Sequence, residues 1–251
     1  MHLVGDVGGA ATSANPFEAL AQRMDTLSAA MPENDGVRAF NALYRAVTKA
    51  VGAEFDERPF EDPAFFSRLA PTFANLYFDS LEAAAEMHDT SPVWEAMFKR
   101  RFASGIAPLQ FAIAGMNAHI NHDLSLALVS TTKELGLSLQ MDTAQHRDHM
   151  RVNAILARVM QQVKGELQTG VVAVIGRSLG RIDDHVANWT IRTARNHAWT
   201  QAQRLAALDG IPFVHDEYRR RIARSVTLSS RVLLVRTSWR RTPSSRATGR
   251  R

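Results

Sequence analysis

The residues best placed to do chemistry stand in one segment, PLQFAIAGMNAHINHDLSLAL, from Pro108 to Leu128. At about 100° per residue, Ala112, Gly115, Met116, His119, His122, Asp123 and Leu126 share one helical face. Two imidazoles and a carboxylate are thereby aimed at one place. His119 and Asp123, at i and i+4, have the separation that lets two side chains on one turn grip one ion, and small Ala112 and Gly115 leave room beside them. Such a site would hold a divalent metal (zinc, manganese or iron) that activates water. The competing reading is that these groups hydrogen-bond across helices and fix the packing register. Gln110, Asn117 and Asn121 form a second polar stripe on the opposite face, and each of these groups needs a partner if the helix is buried.

Two other helical segments could complete the site. Asp142, His146, His149 and Asn153 fall on one side of the segment from Asp142, with Asp148 roughly opposite His146. His146 or His149 is a candidate further ligand, and His122 and His146 are candidate ligands or acid/base groups. From Ile182, the acids Asp183 and Asp184 with His185 open a helix that carries a stripe of Trp189, Arg192, Asn196, Trp199 and Gln203, with Arg195 beside it. Arg195 is either packed on Trp199 through a cation–π contact or a contact for an anion. The absence of cysteine excludes disulfides, thiolate zinc sites, iron–sulfur clusters and thiol nucleophiles.

The elements that must position these residues are helices. The 251 residues, 45% hydrophobic and 22% charged, can bury a core without staples. Asn15-Pro16, Asp62-Pro63 and Ser91-Pro92 each pair a capping side chain with proline at the first helical position. Asn34 or Asp35 caps a helix to about Val51, and Pro71 should break or kink the helix that begins at Pro63. Further helices are predicted from Pro108 to Leu135, stopped by Gly136, and over Asp142–Leu167, Ile182–Leu208 and Pro212–Val235. The expected fold is all-α: a single-domain multi-helix bundle over 15–236 around a central buried helix, after a flexible stretch 1–14 and before a basic, disordered tail 237–251.

From Arg219 onward there are eleven Arg and no acid, so the preceding body carries 19 basic and 25 acidic residues. The tail could make weak contact with an anionic surface, but after Trp239 it has no aromatic to stack on bases, so nucleic acid is not an expected partner. No apolar run reaches the ~20 residues of a membrane span and no signal peptide is evident, which makes the cytoplasm the expected location.

Gly176-Arg-Ser178-Leu-Gly180 matches the nucleophile elbow of α/β-hydrolases and follows the strand-like Val171–Ile175. The chain offers no other strands to build that sheet, so a loop between helices is the better reading. Gly5, Gly8 and Gly9 follow no strand and cradle no phosphate. An isoprenoid-cyclase reading lacks its Asp-rich cluster, because Asp183-Asp184 is followed by His-Val-Ala.

The string Pro108-Leu109-Gln110, then Gly115-Met116-Asn117-Ala118-His119-Ile120-Asn121 and Asp123-Leu124, resembles the core helix of a bacterial all-helical family of unknown function. Val152-Asn153 and Arg195-x3-Trp199 are similar to it as well. The resemblance implies an all-α fold over most of Pro16–Val235 and brings no activity. More remotely, His119-x3-Asp123 resembles one ligand pair of the zinc-dependent phospholipase C and P1-nuclease group, whose ligating N-terminal Trp and other His spacings are missing here.

Two functions follow as expectations. In the first, the chain is a metal-dependent hydrolase of a phosphoester or small ester, with His119 and Asp123 as ligands, His122 and His146 as further ligands or acid/base groups, and Arg195 on the substrate anion. In the second, it is a non-catalytic module that binds an apolar small molecule between helices, lined by Trp189, Trp199 and Phe111.

Overall fold

The computed structural model of the chain describes residues 15–166 and 184–236, side chains between 160 and 190 excepted. All regular structure among them is helical: α1 (Pro16–Ala30), α2 (Val37–Glu57), α3 (Pro63–Ala85), α4 (Pro92–Phe98), α5 (Pro108–Ala118), a π-helical turn (His119–Asp123), α6 (Leu124–Glu134), α7 (Ala144–Glu166), α8 (Asp184–Ala207) and α9 (Pro212–Leu233). The Gly-x-Ser-x-Gly motif, the strand-like Val171–Ile175, Trp189's side chain and the basic tail from 237 lie outside the described residues.

The helix starts follow their caps. Asn15 Oδ1 accepts from Phe17 N at 2.9 Å and Asp62 Oδ1 from Phe65 N at 2.9 Å. Asp35 Oδ1 accepts from Val37 N at 3.0 Å at the head of α2, which then runs to Glu57, beyond the expected end at Val51. Ser91 makes no capping bond, so α4 begins on Pro92 alone. Gly136, at φ +64°, closes α6.

Of the break or kink expected at Pro71, the break does not occur: α3 runs through it as one helix. An interior proline costs about 3 kcal/mol. Buried side chains on both sides of it, Phe66 and Leu69 before and Tyr77 and Phe78 after, anchor the two halves to the bundle and offset that cost.

The Pro108–Glu134 segment touches α2, α3, α4, α8 and α9, while α1 lies on α2 and α3, and α7 on α2 and α8. Two apolar clusters result. One gathers α1, α2, α4, α5 and α9 around Phe40, Tyr77 and Trp94; the other gathers α6, α7 and α8 around Phe65, Leu128 and Trp199. α3 contributes to both.

The second polar stripe of the Pro108 segment is fully used in docking α9. Gln110 Nε2 donates to Leu233 O at 2.7 Å and Val235 O at 2.9 Å, the carbonyls a helix end leaves open. Asn117 Nδ2 donates to Val226 O at 3.0 Å and Ser230 Oγ at 2.9 Å, and its own oxygen accepts from Asn121 Nδ2 at 3.0 Å. The polar groups that looked costly inside the core helix are thus the means by which α9 is held. Asp148, expected to point away from His146, accepts from Glu61 N at 3.0 Å and Asp62 N at 2.8 Å, fixing the link into α3.

Candidate functional site

The chemical centre lies on the π-helical turn. Its defining bond runs from Leu124 N to His119 O, five residues back rather than four. The turn gathers both imidazoles onto one carboxylate: His119 Nδ1 lies 3.1 Å from Asp123 Oδ2, and His122 Nδ1 lies 2.7 Å from Asp123 Oδ1. A third donor comes from α4, where Trp94 Nε1 donates to Asp123 Oδ2 at 3.0 Å. Nothing in the sequence spacing links Trp94 to this site.

These bonds set the protonation states. Burial alone would raise the Asp123 carboxyl, but the hydrogen bonds and charge of His119 and His122 hold it below the ordinary carboxylate range. Burial lowers His119 against the opposing pull of Asp123, leaving a neutral ring. Asp123, as an acceptor, therefore fixes the proton of His119 on Nδ1. Nε2 keeps its lone pair, and it is enclosed without a hydrogen-bond partner.

Aromatic side chains hold the His119 ring. Phe73 stacks on it at 3.6 Å between centroids and 10° between planes, and Tyr44 meets it edge-on at 4.5 Å. Burial, then the Asp123 charge, then Tyr77 raise the Tyr44 hydroxyl, which stays protonated. The space beside Gly115 is filled: a Cβ there would lie 2.3 Å from Phe40 Cγ, so the glycine exists to admit the Phe40 ring.

Between the two apolar clusters lies a cavity of about 110 Å³. Its walls come from α1, α2, α3, α5, the π turn, α6, α7 and α8, and are apolar except for Thr48, Tyr44, His119 and Arg195. Arg195 is 7% exposed. It is held by Asn153 Oδ1, which accepts from Nε at 2.8 Å, and by His149. His149 accepts from Nη2 through Nδ1 at 3.3 Å and through its carbonyl at 3.2 Å, and its Nε2 donates back to Arg195 O at 3.1 Å. Burial, then the neighbouring cation, lowers His149 well below the ordinary histidine value, so it acts as a neutral acceptor. Burial also lowers the Arg195 guanidinium to about 10, which leaves it cationic at neutral pH.

The structure therefore brings together His119, His122 and Asp123, and seats Arg195 in the wall of the cavity that His119 also lines. It does not bring His146 to them. His146 Nδ1 accepts from Asp142 N at 3.2 Å and its ring packs on Trp199 at 5.0 Å, so it fixes the start of α7. Trp199 is flanked by His146 and His149 rather than by Arg195, so the cation–π expectation gives way to hydrogen bonding by the guanidinium. Nor do Trp199 and Phe111 line the cavity: both are core, Phe111 packed against Gly36. The aromatic wall comes from Phe17, Phe40, Tyr44, Phe66 and Phe73; the i, i+4 spacing of Phe40 with Tyr44 on α2 was the available signal for two of them.

A scan of family models matches residues 17–236 to a family of unknown function, DUF5995. The chain belongs to the DUF5995 family. No curated protein and no solved structure matches it. Membership accords with the resemblance to a family of unknown function, and it assigns no activity. Among the described residues no group of three or more His, Asp or Glu side chains is arranged to hold a metal ion, and no helix is long and apolar enough to cross a membrane.

Proposed function

We propose that this DUF5995 chain binds a small, mainly apolar molecule in the cavity between its two apolar clusters. The observation that carries the reading is a partly open space of about 110 Å³ between the helices, lined by apolar side chains with a few fixed polar groups. Its volume is of the order of the roughly 150 Å³ apolar cavity that holds benzene, so the ligand is a single ring or a short chain whose end can reach out through the opening. The test is a thermal-shift series with toluene, indole and hexan-1-ol on the wild type and on Ala70→Leu, which fills the cavity wall. Ligand at about 100 times its Kd adds roughly 2.7 kcal/mol. A shift in the wild type that is lost in Ala70→Leu supports the proposal; no shift with any of the three, or an equal shift in both proteins, overturns it.

One observation favours a second reading, hydrolysis of a small ester. Asp123 holds His119 in the Nδ1–H tautomer with Nε2 unbonded, the arrangement of a general base toward water. Nε2 is also the His119 atom left for a divalent metal, whereas both Asp123 oxygens already accept hydrogen bonds and one would have to be released to ligate. Hydrolysis of 4-nitrophenyl butyrate that disappears in His119→Ala, with zinc, manganese or iron measured in both proteins, tests this reading in its metal-free and metal-assisted forms.

A further inference from the structure

We infer that the cavity is built for a small apolar monocarboxylic acid whose carboxylate sits on Arg195. The inference rests on the binding reading above and names its ligand class. Among the described residues Arg195 is a buried cation with no acidic partner: its hydrogen bonds go to Asn153 and to the neutral His149. An isolated charge inside a protein is costly, and the cost is relieved by a counterion. The described residues do not supply that counterion.

The donor count fits a carboxylate. Among the described residues, Nε is committed to Asn153 and Nη2 to His149, whereas Nη1 has no hydrogen-bond partner. An N–H of Nη1 can donate to one carboxylate oxygen in a charge-assisted hydrogen bond. Charge sets the same limit. Among the described residues Arg195 is the one cationic side chain in the cavity wall, so one negative charge is neutralised there, while a phosphate dianion would leave an uncompensated charge against apolar walls. The remaining wall, with Ile191 one turn before Arg195 on α8 and Val152 and Leu156 on α7, receives the hydrocarbon part. The clamp of Asn153 and His149 fixes the guanidinium before the ligand arrives, which reduces the entropy lost on binding.

The test uses the full chain and matched acid and amide pairs, hexanoate with hexanamide and 4-methylbenzoate with 4-methylbenzamide, followed by calorimetry at pH 7.5. Hexylphosphonate, measured also at pH 9 where it is chiefly the dianion, serves as the comparator. The expected result is at least tenfold tighter binding of each acid than of its amide, weaker binding of the phosphonate, and loss of the acid advantage in Arg195→Gln. Should Arg195→Gln fail to fold, the acid–amide comparison on the wild type decides alone. Equal binding of acid and amide, or tighter binding of the phosphonate, overturns the monocarboxylate inference while leaving the cavity reading intact. Failure of the acids, the amides and the neutral panel together overturns both.

Discussion

Replacing Gly115 with alanine probes how tightly the wall behind His119 is built. The new Cβ would lie 2.3, 2.4 and 2.8 Å from Phe40 Cγ, Cδ2 and Cβ. Carbon atoms rest at about 3.5–4.0 Å, so the ring must retreat by more than about 1 Å. It has little freedom: Tyr77 meets it edge-on at 5.0 Å, Trp94 lies at 5.3 Å and His119 at 5.8 Å. The open direction is the cavity that Phe40 also lines. Overpacking of this kind costs about 1–3 kcal/mol, against a gain of about 1 kcal/mol from exchanging glycine for alanine inside a helix. The net expectation is a loss of up to about 2 kcal/mol, read as a lower urea midpoint at unchanged slope, together with weaker binding of hexan-1-ol. The cost should shrink when Phe40→Leu is combined with Gly115→Ala, because the two positions act through one contact. A Gly115→Ala protein more stable than the wild type, undiminished hexan-1-ol binding, or a cost unchanged in the Phe40→Leu background, would refute the reasoning.

Other consequences are equally open to measurement. His119 and His149 are held below the ordinary histidine value of 6.5, so the unfolded chain takes up protons first as pH falls. Their contribution is complete above about pH 6.5 and declines below it, with a slope of up to about 2.7 kcal/mol per pH unit while both remain neutral only in the folded state. Asp123, held low, acts in the same sense at more acid pH. Urea midpoints measured from pH 8 to pH 5 should therefore fall, and a flat profile would contradict the assigned neutral rings. Trp94→Phe removes a buried donor from the ionised Asp123 and should cost about 1.5–3 kcal/mol, measured by chemical denaturation. Asn117→Ala leaves Val226 O and Ser230 Oγ without their partner and should raise amide hydrogen exchange along α9 more than along α7.

Much of the fold was legible because local signals and burial agree. Asn15-Pro16 and Asp62-Pro63 start helices where their caps say they should, and Gly136 stops one. Pro71 does not break α3 because its cost is local and small beside the packing of Phe66, Leu69, Tyr77 and Phe78 around it. Within the site, a shared helix face grouped His119, His122 and Asp123, and the π turn, which no periodicity announces, sets both imidazoles on that one carboxylate. Trp94 reaches Asp123 from a separate helix, so its role is a property of the packing alone. The room inferred beside Gly115 was real as a gap in α5 and is filled by Phe40. His146 shares a helix face with His149, yet only His149 reaches Arg195, because the His146 ring is held by the Asp142 amide and Trp199.

The most direct test of the central claim is the side-chain nitrogen NMR spectrum of histidine-labelled protein, recorded with and without saturating hexan-1-ol, with His119→Phe used to assign the His119 signals. The account predicts a neutral His119 protonated on Nδ1 at pH 7.5 and a shift of its ring signals when the cavity is filled. A His119 protonated on Nε2, or His119 signals unmoved by hexan-1-ol, would contradict it.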